Sequence, residues 1–305
     1  MNKEISCTQL VKERLDLLKL NTHNTVNSLL DSLTLDLAAK VDAKIKNGET
    51  IGLLEGIPFG IKDVYMVQGT YTTASSDLLK NYKSAYTATA IQKLLDAGAI
   101  PLVKENCDSF GHGSSSENTI FGAVKNAINP NLVGGGSSGG SAVNVAKDYT
   151  VFSIGGDTGG SIRQPAGYNN VYGLKPTYGR ISRFGLMAYA SSTDCVGPIA
   201  KSIEDIRIVL NVISGKDVKD QTTYESKIIT EDSITKNQIK TVGYFKNFIE
   251  SDALNPKIKE DFLSALEMIK EKGIEATLKL SESPNSKVVV IGSGKSGMPI
   301  ILGNQ

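Results

Sequence analysis

Two histidines, three cysteines and almost no net charge limit what this 305-residue chain can do. His23 lies in the polar stretch Asn21-Thr22-His23-Asn24 and His112 in Gly111-His112-Gly113, and both read as ordinary surface imidazoles. With neither placed as a base, Ser-His-Asp chemistry is nearly excluded. Cys7, Cys107 and Cys195 are few, odd in number and far apart, which fits a reducing compartment and no disulfide framework. Cys195 has no histidine partner and reads as buried filler. The charges nearly cancel at +1, so no extended basic surface for nucleic acid is expected. No run of 18 apolar residues occurs, which argues against a membrane-spanning helix. Met1 to Ser6 form no hydrophobic signal core, and no metal-ligand cluster is visible. The expectation is a soluble intracellular protein, cytoplasmic in a bacterium or in the mitochondrial matrix of a eukaryote.

Glycine, by contrast, is plentiful and placed around serine. Ser137 sits in Gly134-Gly135-Gly136-Ser137-Ser138-Gly139-Gly140-Ser141, and Ser161, 24 residues on, in Gly155-Gly156-Asp157-Thr158-Gly159-Gly160-Ser161-Ile162-Arg163. A nucleophilic hydroxyl needs a base within reach and N–H groups aimed at the oxyanion it creates. Flexible Gly/Ser linkers are the bland alternative. Linkers do not usually alternate with strand-like runs such as Thr150-Val151-Phe152-Ser153-Ile154. A serine enzyme without a usable histidine can take lysine as its base. Lys62 follows the extended-looking run Gly56 to Ile61, where partial desolvation would lower its pKa. A lysine beside an aspartate such as Asp63 is, taken alone, more often half of a surface ion pair; only the two serines make it a candidate.

The periodicities indicate an α/β layered domain around a mixed sheet. Residues 7–46 read as helices, with Leu10, Val11, Leu15, Leu17 and Leu18 as the first apolar face; 50–67 read as extended. Helices are expected at 86–97, 141–146, 202–213 and 256–272, and strands at 99–103, 150–154 and 239–245, with a polar loop over 216–237. Ser202, with Asp205 three residues on, reads as a helix cap. The expected division is a core over 1–215, its continuation over 216–280 and a tail over 281–305 with no assigned fold. In that tail, Gly292-Ser293-Gly294-Lys295-Ser296-Gly297 fits a dinucleotide fingerprint behind Val288 to Ile291. Too little chain follows for the helix, second strand and acidic residue such a site needs, so nucleotide binding is not expected.

Lys62, Ser137 and Ser161 with their glycines resemble the amidase signature family and its Ser-cisSer-Lys triad. Thr72 to Ser76, Gly113 to Asn118, Asp157 to Ala166, Tyr172 to Arg183 and Ala188 to Ser192 carry the likeness, over about residues 25–275. Within the family the likeness is strongest to the A subunits of glutamyl-tRNA(Gln) amidotransferases. The resemblance implies a mixed-sheet α/β fold, Ser161 as nucleophile, Ser137 as proton relay behind a cis Gly136–Ser137 bond, and Lys62 as base. It assigns the oxyanion hole to the N–H groups of Thr158, Gly159, Gly160 and Ser161. It also implies glutamine as ammonia source, B and C subunits as partners, tRNA contacted mainly through B, and ATP and Mg on B, with no cofactor on this chain. Departures are Gly134, Gly156 and Ser109, where the family usually has Pro, Ser and Glu. Family members exceed about 400 residues, so the chain reads as C-terminally truncated, without the region that resembles the glutamine-gripping Arg and Asp. A weak glutaminase on its own is therefore expected. A stand-alone amidase for small amides, or a non-catalytic subunit that only assembles, stay open.

Overall fold

One apolar stripe decides where the N-terminal helices dock. In the computed structural model, which describes residues 5–230, 241–271, 275–277, 289–291 and 300–302, α1 (Cys7–Lys19) buries Cys7, Val11, Leu15 and Leu18, one turn apart along a single face. Leu17, expected on that face, is exposed. Ser6 caps α1 by accepting from the Gln9 N–H at 3.0 Å. Asp42 of α2 (Asp31–Lys46) accepts from the N–H groups of Cys7 and Thr8 at 2.7 and 3.0 Å, anchoring the positive end of α1 to its partner helix. Between the helices runs β1 (Val26–Leu29), which the expectation of uninterrupted helices missed. Four residues are too few to set a period.

The main sheet adds β2 (Pro58–Lys62), β3 (Ile100–Glu105), β4 (Phe152–Asp157), β5 (Tyr172–Gly173) and β6 (Cys195–Ala200), in the order β1-β3-β2-β4-β6-β5. β2 runs parallel to β3 and β4, and the other three pairings are antiparallel, so the expected mixed sheet is present. Every residue of β2, β3, β4 and β6 is buried, as for strands covered on both faces. Phe59 and Phe152 stack across β2 and β4 with centroids 5.2 Å apart. Helices α3 (Thr89–Asp96), α4 (Gly139–Ala146), α5 (Arg163–Tyr168) and α6 (Ile203–Ile213) flank the sheet, and Ser202 caps α6 as expected, accepting from the Asp205 N–H at 3.0 Å. Gly197 and Pro198 hide β6 from a propensity reading. The fold needs that glycine, since a Cβ at Gly197 would lie 2.0 Å from the Leu174 carbonyl oxygen.

Residues 216–230 form neither helix nor strand, in keeping with a polar loop; 231–237 lie outside the described residues. β7 (Thr241–Gly243) is shorter than the expected 239–245 strand, whose first two residues are outside the described set. A short helix α7 (Lys246–Ile249) precedes α8 (Pro256–Glu271), and β8 (Glu275–Thr277) pairs in parallel with β7. β9 (Val289–Ile291) pairs antiparallel with β10 (Ile300–Leu302). The glycine motif at 292–297 and Lys272 lie outside the described residues. Among the described residues no helix is long and apolar enough to cross a membrane.

A carboxyl sits in the middle of this core. Glu105, at the end of β3, lies over Gly60 so closely that a Cβ there would be 1.8 Å from Oε1. Ser153 and Asn144 donate to Oε1 at 2.7 and 3.0 Å, while Oε2 has no partner among the described residues. Burial raises the Glu105 pKa from 4.5 to about 7, against the pull of those hydrogen bonds. A carboxyl that holds its proton more tightly folded than unfolded loses stability as pH rises through that window. The loss is complete above about pH 7, where it amounts to about 3 kcal/mol. Glu105→Gln is therefore predicted to be more stable than the parent above pH 7, with the difference closing below about pH 4.5, as read from urea midpoints.

Candidate active site

Parallel pairing brings the candidate base to the glycine-rich turns. Ile61 of β2 pairs with Ile154 of β4, so Lys62, the last residue of β2, lies alongside Gly155-Gly156 of β4 at the same end of the sheet. The segment 134–138 crosses in front of that end before α4 begins. Lys62 Nζ lies 2.6 Å from Ser137 Oγ, and the two residues are 2% and 1% exposed. Nζ also donates to the Gly156 carbonyl at 3.4 Å. This is no surface ion pair: Asp63 turns away to Lys104 at 2.7 Å, in a pair that is wholly buried. Burial pushes the Lys62 pKa down, and the carboxylates of Asp108, Asp157 and Asp194 pull it back only in part. A buried lysine with a lowered pKa beside a hydroxyl has the chemistry of a proton acceptor.

The peptide bond Gly136–Ser137 is cis. Asp108 holds the serine run opposite it, accepting from the Ser116 N–H at 2.9 Å, and its own N–H donates to the Ser137 carbonyl at 3.3 Å. A side chain at Gly136 would collide with Asp108, its Cβ lying 2.2 Å from Oδ2. Ser161 joins the site through its main chain: the Ser138 N–H donates to its carbonyl at 3.0 Å. Ser161 itself is half-buried and is not among the residues lining the cavity, which include Lys62, Ser137 and Thr158.

The turn that carries Ser161 is organised by a residue to which sequence reasoning gave no role. Asp157 accepts from the N–H groups of Gly160, Ile162 and Arg163 at 2.8, 3.0 and 3.3 Å. Arg163 donates to both its carboxylate oxygens through Nε and Nη2, at 3.0 and 2.9 Å. Burial works against the Asp157 carboxylate, but Arg163 and these N–H groups hold it net below the usual range. The N–H of Gly160, one of the four expected oxyanion donors, is thereby engaged by Asp157. A carboxylate at the end of a buried strand and just before a glycine turn was the signal available.

Asp194, also unforeseen, accepts from the Thr158 hydroxyl at 2.5 Å and from the Tyr189 N–H at 2.9 Å, tying two walls of the cavity together. Gly156 retains room for a side chain, with a Cβ 3.5 Å from the Tyr65 hydroxyl and 3.7 Å from Leu186. His112 is exposed as expected, but His23 is buried, with Nδ1 lacking a partner among the described residues. Neither imidazole is among the groups lining the cavity. Burial pushes the Cys107 thiol up to about 11 and raises Cys195, consistent with filler. Among the described residues no three His, Cys, Asp or Glu side chains group as a metal site.

The family model described as Amidase matches residues 8–291, further at both ends than the motifs delimit. The A subunit of glutamyl-tRNA(Gln) amidotransferase from Heliobacterium modesticaldum is 45% identical over 280 residues, covering 90% of this chain and 57% of that protein. The crystal structure of the same-named protein from Thermotoga maritima superimposes with a TM-score of 0.76 at 32% identity, over 90% of this chain and 60% of that one. A bacterial aryl acylamidase of the amidase signature enzymes gives 0.81 at 26% identity, over 90% and 58%. The chain thus spans less than two thirds of the length of these relatives.

The Lys62 environment has a consequence for stability. Lys62 has a lower pKa folded than unfolded, so its burial costs most at low pH and the cost fades as pH rises toward 10.5. Lys62→Met is predicted to gain stability relative to the parent at pH 7, and less so at pH 10, in paired denaturation curves. A gain that grows toward pH 10 would contradict the buried, pKa-depressed lysine.

Proposed function

The chain belongs to the amidase signature family, and from that premise we propose that it hydrolyses the side-chain amide of glutamine as the ammonia-supplying subunit of an amidotransferase. The buried Lys62–Ser137 contact of 2.6 Å carries this reading, because it pairs a depressed-pKa amine with a hydroxyl at the floor of a cavity. Ser161 Oγ attacks the amide carbon, and its proton passes through Ser137 to Lys62 Nζ. The C–N bond then breaks, and the proton returns along the same path to the departing ammonia. Water hydrolyses the resulting glutamyl ester. The N–H groups of Thr158, Gly159 and Ser161 face the developing oxyanion, each worth about 3 kcal/mol if lost. The ammonia passes to a B subunit that carries ATP and Mg and amidates glutamate on tRNA(Gln), with a C subunit holding the two together.

A second reading, a stand-alone amidase for small amides, draws support from the apolar cavity wall of Val64, Phe110, Leu186 and Met187. Ammonia release from glutamine, with and without B and C subunits, against release from a simple aliphatic amide decides between the two. In the assembly, Ser161→Ala and Lys62→Met are each predicted to lower glutamine-dependent ammonia release by ~10³-fold or more, and the double variant by little more than either. Retention of most activity by Ser161→Ala would overturn the nucleophile; retention by Lys62→Met alone would overturn the relay.

A further inference from the structure

The carboxyl packed over Gly60 ties together the two sides of the proposed proton path. Through its main chain Glu105 holds the residue after the base: the Asp63 N–H donates to the Glu105 carbonyl at 3.0 Å. Through its side chain it holds the helix that follows Ser137. Asn144 of α4 donates to Oε1 at 3.0 Å, and Ser153 of β4 donates to the same oxygen at 2.7 Å. The next residue adds a third tie, the Asn106 carbonyl accepting from the Gly140 N–H in the first turn of α4 at 3.0 Å. The 2.6 Å contact of Lys62 Nζ with Ser137 Oγ is thus made between two segments that are both fastened at Glu105.

Whether the side-chain tie holds depends on one proton. Oε1 already takes two donors, while Oε2, Asn144 Oδ1 and Ser141 Oγ are buried without a hydrogen-bond partner among the described residues. A carboxylate oxygen and an amide oxygen only accept, so the ionised form leaves two acceptors with nothing to receive. A proton on Oε2 turns one of them into a donor. No opposite charge does the same work. Gly60 faces the carboxyl from β2, Ser153 from β4, and Ser141 and Asn144 from α4, all of them uncharged. Lys62, its register partner in β2, is turned to Ser137, and Lys104 is spent on Asp63. An ionised Glu105 is therefore a buried charge without a counter-ion.

We propose that Glu105 is a positioning residue that, while protonated, clamps α4 to β3 and β4 and so holds Ser137 against Lys62, and that on ionising it releases the helix and opens that contact. This rests on the reading of Lys62 and Ser137 as the proton path. Because the carboxyl ionises at about pH 7, the clamp holds below neutrality and fails above it.

The test is hydrogen exchange on the 305-residue chain, comparing the amides of α4 with those of α1. Protection is read at about pH 6 and about pH 8.5, after correction for intrinsic rates. In the parent, protection of α4 should fall at the higher pH by about tenfold or more beyond any fall in α1. Glu105→Gln, whose amide keeps one acceptor and carries a fixed donor, should abolish that excess. In the assembly with B and C subunits, the ratio of the Glu105→Gln kcat to the parent kcat for ammonia release from glutamine should rise about fivefold or more over the same interval. Equal falls in the two helices would show a loss of overall stability alone and overturn the proposal. An excess in α4 that persists in Glu105→Gln, or a kcat ratio that stays constant, overturns it too. No ammonia from either protein at any pH would instead overturn the glutamine reading, and exchange alone then decides the clamp.

Discussion

A lysine amine and a serine hydroxyl, 2.6 Å apart in a site almost closed to water, are the contact around which the rest of the structure is arranged. Water would stabilise the ammonium and end its use as a base; burial does the reverse. In the proposed mechanism the amine needs a path to the substrate, and Ser137 offers one through a single hydroxyl. The parallel β2–β4 pairing is what permits this. It brings Lys62 at the end of β2 alongside the last residues of β4 at one end of the sheet, where the segment before α4 comes within reach of Lys62.

Around that contact, carboxylates do the positioning, and N–H groups or cations saturate them. Asp157 collects three backbone N–H groups and the Arg163 guanidinium, fixing the turn that bears Ser161. Asp108 fixes the serine run facing the cis bond, and Asp194 joins the Thr158 and Tyr189 walls. Asp63, next to Lys62, is committed to Lys104, Thr73 and Asn27, so its charge is matched within the core. Each of these groups costs desolvation and repays it only when its partners are all in place. The site is therefore held by loops that cannot shift singly. This also accounts for the glycines: at Gly136 and Gly60 a neighbouring carboxyl occupies the space a Cβ would need.

The mixed α/β order and the candidacy of Lys62 and Ser137, which the fold brings to 2.6 Å, were legible because each rests on local pattern: a glycine turn beside a serine, an apolar run before a lysine, helical stripes alternating with strands. β1 and β6 were not. β1 has four residues, and β6 contains Gly197 and Pro198, so neither shows a period, and only pairing with β3 and β4 makes them strands. His23 looked like a surface imidazole because its neighbours in sequence are polar, yet the chain folds over it. The role of Asp194 could not be read, and that of Asp157 only from its place before a glycine turn, since a carboxylate's partners are set by tertiary approach. The commitment of the Gly160 N–H to Asp157 belongs to the same class: the residue was visible, its hydrogen bond was not.

The proposed function rests on Lys62 being a neutral amine at working pH. The most direct measurement is the ¹⁵N resonance of its side chain in lysine-labelled protein, followed with pH and assigned by comparison with Lys62→Met. The account predicts an amine signal for Lys62 at neutral pH while the exposed lysines are still ammonium. An ammonium signal for Lys62 that persists with the others to about pH 10 would contradict it.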